Sequence, residues 1–497
     1  MVKRTVSSGL GSLGSGAVTA VALAVQTGLA AVVGVIIARD FGRTAETDGF
    51  FAAYGVFIVV VLAATAIRLA VLPPLARARD DGRLGSEVAG YSRTLAVIAV
   101  PLLLVAVFGA EPLSNLLTGH GPIEARRVAA DTLPWMILAA VLQLYSGLAA
   151  SALAALDDYV VASASYAIGS IVGLVYIFAR VHTDGIAAVP YGMALNGAIA
   201  VAVPTVALAL RARREAMPLR SLEPSGLPFV ARVREIARSV SLPFAIQGVY
   251  LICLPLASRV GVGATTSFGY AYLLTSAIVA VTASSLGLVT SVPLTRAGLD
   301  PAGAARHIVA SSWIAVMLIG AAAGVFGIAG GRIVRLLLGS SYGASVGSEL
   351  GRLVMVMSIW AVVTVGVSVA FPLVFVISAG RRLPRLAVAV LAIHVPLAFA
   401  GRAIWGLEGL ALALAATTTI ILLGLLATLH AAVVTMRGLG VAAGTTIALA
   451  AVAFVPAWLL LSPVLAAVVG VVAYLTLVAV VRPPGLRGAW RYLTTLS

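Results

Sequence analysis

The 497 residues are 61% hydrophobic and only 10% charged, where ordinary globular domains carry about 45–50% and about 25%, and this excludes a soluble enzyme. The 33 basic residues against 18 acidic ones give a net charge of +15, which in a soluble chain would suggest nucleic acid; in so apolar a chain it points instead to loop arginines facing anionic lipid headgroups. The one cysteine, Cys253, lies in an apolar segment, so no intrachain disulfide can form and no cysteine metal site is expected.

The first apolar segment, 13–38, is longer than the core of a cleaved signal and reads as a transmembrane helix. The next, 49–72, contains the unbroken run Val56 to Leu62 and is long enough to cross a hydrocarbon core of about 30 Å. Further spans follow at 94–117, 129–156, 159–179, 186–210, 239–260, 265–293, 307–329, 353–379, 386–401, 405–433, 439–461 and 463–481. The pattern predicts an all-α polytopic membrane protein with about fourteen spans and no soluble domain left over. With the N-terminus inside, 22 basic residues fall in cytoplasmic segments and 10 in external ones, Arg68 alone remaining within a span. That asymmetry predicts both termini in the cytoplasm. The Ala, Gly, Val and Arg bias, with Lys3 as the only lysine, suits a high-GC bacterial genome and hence a bacterial inner (plasma) membrane.

The longest connection, 211–238, ends in Pro228 to Arg238, where Phe229, Val233 and Ile236 can share a face while the arginines project away. This predicts an interfacial helix, the alternative being a solvated linker. The two sides of the linker echo each other: Pro74-Leu75-Ala76-Arg77 and Pro293-Leu294-Thr295-Arg296 are 219 residues apart, as are Phe51 to Tyr54 and Tyr270 to Leu273. We therefore expect a six-helix bundle at 1–210, the linker at 211–238, a second six-helix bundle at 239–433, two additional helices at 439–481 and a cytoplasmic tail at 482–497. A duplicated bundle implies a cavity between halves that rock in alternating access.

The segment Ile37-Ala38-Arg39-Asp40-Phe41-Gly42-Arg43, followed by Thr47-Asp48-Gly49-Phe50-Phe51, resembles the first helix turn of the MurJ (MviN) lipid II flippases. The Leu72-Pro73-Pro74-Leu75 exit of span two and Tyr270-Ala271 with Pro293 are similar to that family's second and eighth helices. The resemblance implies the multidrug/oligosaccharidyl-lipid/polysaccharide exporter fold, with lipid-linked cell-wall precursors as substrate. Two positions depart from the family pattern: its cavity arginines fall at Val33 and Leu273. The family's aspartate carries over as Asp48.

Moving a lipid headgroup requires no covalent catalyst; it requires a polar cavity, positive charge for phosphate and a lateral opening for the tail. Arg68, five residues before Pro73, is a candidate phosphate contact or an arginine snorkelling to headgroups. Arg39 and Arg259, at corresponding ends of spans one and seven, are candidate flanks of one mouth or plain helix-end anchors. Asp48 is a candidate partner for Arg39, although a carboxylate in a first helical turn is also favoured by the dipole. Gln26, Gln247 and Asn196 line a cavity or hydrogen-bond between helices. His394 reads as a packed histidine rather than a proton relay. No GxxxxGK[ST] pattern is present, so no nucleotide or other cofactor is implied, and coupling to an ion gradient or the membrane potential is expected. The readings are a flippase of undecaprenyl-linked glycans, a polysaccharide-unit flippase or small-molecule exporter of the same fold, or a degenerate non-transporting scaffold. An intramembrane glycosyltransferase is disfavoured, because the longest external loop carries only Glu349 as an acid.

Overall fold

The computed structural model describes residues 28–156, 158–214, 228–280, 300–339, 342–377 and 380–496. Among these the chain forms helices and no strands, and ten helices are long and apolar enough to cross a membrane. In chain order the α-helices, membrane-crossing or not, are α1 (28–41), α2 (Ala45–Asp80), α3 (Leu84–Phe108), α4 (Ala110–Leu117), α5 (Ile123–Ala155), α6 (Tyr159–Asp184) and α7 (Ala188–Arg214). After the linker come α8 (Phe229–Ser258), α9 (Ala264–Val279), α10 (Pro301–Leu338), α11 (Ala344–Val376), α12 (Leu383–Thr428), α13 (Ala432–Leu460), α14 (Pro463–Val481) and α15 (Pro484–Leu496). The expected spans with described residues fall on helices, although 94–117 covers the end of α3 and the separate α4, divided at Gly109. Spans eleven and twelve are the two arms of α12, which breaks at Trp405 and Gly406, where Gly406 has φ 56°.

Local chemistry sets the helix boundaries. Asp300 caps α10 by accepting from the Gly303 amide at 2.7 Å, with Pro301 in the first turn, where its missing N–H is no loss. Asp158 caps α6 through the Val161 amide at 3.3 Å and pairs with Arg211 at 3.1 Å. Asp158, with no basic residue beside it in sequence, thus draws a cation from the end of α7.

The chain divides into two compact units. Among the described residues, one comprises 28–33, Ala64–Leu102 and Ile137–Ile236. In it α6 lies against α7 so closely that a Cβ on Gly173 would stand 2.6 Å from the Gly192 carbonyl. The Ser146 hydroxyl donates to Ala200 O at 2.8 Å, and Arg79 to Ala155 O at 2.8 Å. The linker helix departs from expectation here. It is continuous with α8, and Arg232 is buried at 4% exposure while Phe229 and Val230 are exposed. Arg232 turns inward because Glu87 waits there at 2.9 Å, itself buried, and because its guanidinium lies 5.3 Å from the Tyr91 ring centroid. The Tyr91 hydroxyl in turn donates to Glu235 at 3.2 Å. A buried carboxylate is costly unless paired, so the ion pair overrides the amphipathic face.

The other unit comprises Gly34–Ala63, Leu103–Met136 and 237–496. Its centre is α10, against which α11, α13, α14 and α15 pack. Near one end of α10 a Cβ on Gly330 would stand 2.7 Å from Gly351 Cα of α11, the close backbone approach that small residues permit between membrane helices. Farther along, Trp313, Phe454 and Tyr474 form a buried cluster, and Tyr474 donates to Met317 O at 2.9 Å.

Candidate functional site

Within this second unit, one set of helix ends is tied by polar contacts linking residues 34–63 and 103–136 to residues 254–350. Asp48 is central. It lies in the first turn of α2, is 5% exposed, and its carboxylate accepts from Gly263 N at 2.6 Å, Thr266 N at 2.8 Å and Thr266 Oγ1 at 2.7 Å. Gly263, at φ 81°, precedes α9, a helix whose N-terminus lacks a side-chain cap of its own. Asp48 therefore satisfies the orphan amides and the positive dipole end of a helix more than two hundred residues away. Thr47 Oγ1 stands 3.0 Å from Thr266 Oγ1, a pair separated by the same 219 residues as the sequence echo.

Arginines complete the seam. Arg43 donates to Gly263 O at 2.8 Å and to Glu349 at 3.0 Å. Arg39 donates to Leu337 O and Leu336 O, both at 3.2 Å, satisfying terminal carbonyls of α10 where a cation is favoured. Tyr342 donates to Gly42 O at 3.3 Å, Tyr270 to Gly34 O at 3.0 Å and Ser258 Oγ to Thr118 O at 2.7 Å. Burial pushes the Tyr342 hydroxyl above its ordinary value, opposed by its hydrogen bond with Tyr270 and by Arg43, so it serves as a neutral donor. The backbones also touch, since a Cβ on Gly49 would run into the carbonyl of Ala125.

The structure brings Asp48 and Arg39 to this seam without pairing them. The anticipated Asp48–Arg39 contact is replaced by amides for Asp48 and carbonyls for Arg39, and Arg43 is the nearby cation. Arg259 is exposed, and its carbonyl accepts from Arg402 at 3.3 Å. Gln247 accepts from the Tyr272 hydroxyl at 2.7 Å, a hydrogen bond between α8 and α9. Arg68 and Asn196 belong to the first unit. Arg68 is exposed, lies 5.7 Å from the Tyr166 ring centroid and stacks its stem over Gly147; Asn196 Oδ1 is buried beside Gly169 with no hydrogen-bond partner. Gln26 and Pro293 lie outside the described residues. His394 is buried between Thr417 at 2.8 Å and Cys253 at 3.4 Å, as a packed histidine should be. Among the described residues no cluster of histidine, cysteine and acidic side chains could hold a metal ion. Sequence reasoning missed Arg43, Gly263 and Thr266; a glycine followed by threonines at a helix start, with no carboxylate of its own, was the available signal.

No family model matches the chain, and no curated protein matches it in sequence. Among solved structures, a lipid II flippase MurJ in an inward closed conformation superposes with a TM-score of 0.72 at 14% identity, covering 93% of this chain and 98% of that one. The chain has the MurJ fold. A multidrug resistance MATE transporter of the MOP superfamily, in an inward-facing conformation, matches with a TM-score of 0.61 at 14% identity over 84% of this chain and 95% of that one. A MOP superfamily transporter from Pyrococcus furiosus matches with a TM-score of 0.59 at 16% identity over 88% and 96%. The similarity to MurJ spans nearly the whole length of both chains, as the likeness of Ala38-Arg39 through Phe51 to the MurJ helix turn anticipated.

Proposed function

We propose that this protein is an alternating-access flippase of the bacterial inner membrane, with both termini cytoplasmic, and that its substrate is a lipid-linked cell-wall precursor of the undecaprenyl-pyrophosphate glycan class. The observation that carries the reading is the Asp48 seam, a set of exchangeable hydrogen bonds at the helix ends, beside which Phe51 packs edge-on against Tyr270 at 4.8 Å. The polar part of such a closure can open at little cost, because the freed amides, carbonyls and carboxylate are solvated by water. In this orientation the seam closes the external side. Arg68 and Asn196 are the proposed headgroup contacts of the first unit, the first as a cation for phosphate, the second through its unsatisfied carbonyl oxygen. Arg39, Asp48, Arg259, Gln26 and Gln247 are assigned to gating and to the walls rather than to the phosphate.

The test is translocation itself. The full chain is reconstituted into vesicles holding a fluorescent undecaprenyl-pyrophosphate disaccharide in the inner leaflet, and its appearance outside is followed with a membrane-impermeant quencher. Translocation above protein-free vesicles supports the reading. Its absence, with a small organic cation moved instead, would favour the export activity named for the MATE structures.

A further inference from the structure

A pocket of about 620 Å³ lies within the second unit, away from the seam, between α10, α14 and α15. Its volume falls within the range of ligand pockets, about 300–1,000 Å³. The wall is aliphatic, built from Ile314 and Leu318 of α10 and Leu475 and Val478 of α14, and Arg482, Arg487, Arg491 and Trp490 also line it. α15 is held in place by its other face. Ala489 is buried, Gly485 lies directly against Trp313, and the Tyr492 hydroxyl is 3.3 Å from His307 Nδ1. Arg487 and Trp490 are left exposed beside the pocket, Trp490 at 64%.

We infer that this pocket binds an anionic phospholipid of the surrounding membrane, one acyl chain in the aliphatic cleft and the phosphate among the three arginines. Charge complementarity selects this occupant. From Gly409 to the C-terminus the chain has no aspartate or glutamate, while Arg437, Arg482, Arg487 and Arg491 are all basic. Arginine forks hold phosphate oxygens in paired hydrogen bonds, and a tryptophan beside them sits at headgroup depth. An apolar cleft with three arginines among its lining residues matches a molecule that is apolar along its length and anionic at one end. A second copy of this chain fits poorly, because it would bring the same cations against these.

Brominated lipids test this through Trp490. The full chain is reconstituted in vesicles containing increasing fractions of brominated phosphatidylglycerol or brominated phosphatidylcholine. The Trp490 component is taken as the difference between the native protein and Trp490→Phe. The account expects quenching of that component at a mole fraction about tenfold lower for the anionic lipid, and loss of the preference in Arg487→Gln/Arg491→Gln. Equal quenching by both lipids in the native protein overturns it whether or not the double variant folds, as does a dimer cross-linked through this face.

Discussion

Asp48 is a helix cap supplied from a distance, and its replacement by asparagine tests what the charge contributes. The amide would keep one acceptor oxygen but lose the charge-assisted bonds to Gly263, Thr266 and the field of Arg43. A hydrogen bond to a charged group contributes about 1.5–3 kcal/mol. Asp48→Asn should therefore lower the thermal midpoint and raise the reactivity of a cysteine placed at Thr266 toward an impermeant thiol reagent; unchanged reactivity would mean that the seam does not depend on the charge. The Glu87–Arg232 pair gives a contrasting case. Glu87→Gln leaves Arg232 buried without its counter-charge, at a cost of about 3–5 kcal/mol, whereas Glu87→Leu/Arg232→Met removes both charges and should melt near the native protein. Equal melting of the two variants would argue against an ion pair of this strength. Neither arrangement was legible in the sequence. The partners of Asp48 are mostly backbone amides, which carry no residue signature, and the helical wheel that turned Arg232 outward takes no account of a glutamate 145 residues earlier.

At the scale of elements, hydropathy placed the helices well because lipid allows the backbone few alternatives to helix. The boundary between spans eleven and twelve corresponds to a kink, since Gly406 at φ 56° reverses the chain without a loop. Hydropathy could not give the pairing of helices. Within α10, Gly330 meets Gly351 of α11 with the two backbones in contact, whereas Gly320 and Gly324 face Thr446 and Phe454 of α13. Gly351→Leu should therefore separate α10 from α11, costing about 1–3 kcal/mol as overpacking commonly does. Thermal unfolding in detergent checks this, and a native midpoint would contradict the packing.

Over the whole molecule, the arginines expected on the outer side illustrate what composition could and could not say. Counted as a bias they predict orientation, yet Arg39 and Arg43 are spent on carbonyls and on Glu349 across the seam. The central claim is that transport requires this seam to open, and one cross-link tests it most directly. Thr47 and Thr266 touch through their hydroxyls at 3.0 Å, and the native Cys253 is buried, so Thr47→Cys/Thr266→Cys should form a single new disulfide across the closure. The account predicts that the oxidised protein no longer moves the undecaprenyl-linked substrate across reconstituted vesicles and that reduction restores movement. Full translocation by protein verified as cross-linked would contradict it.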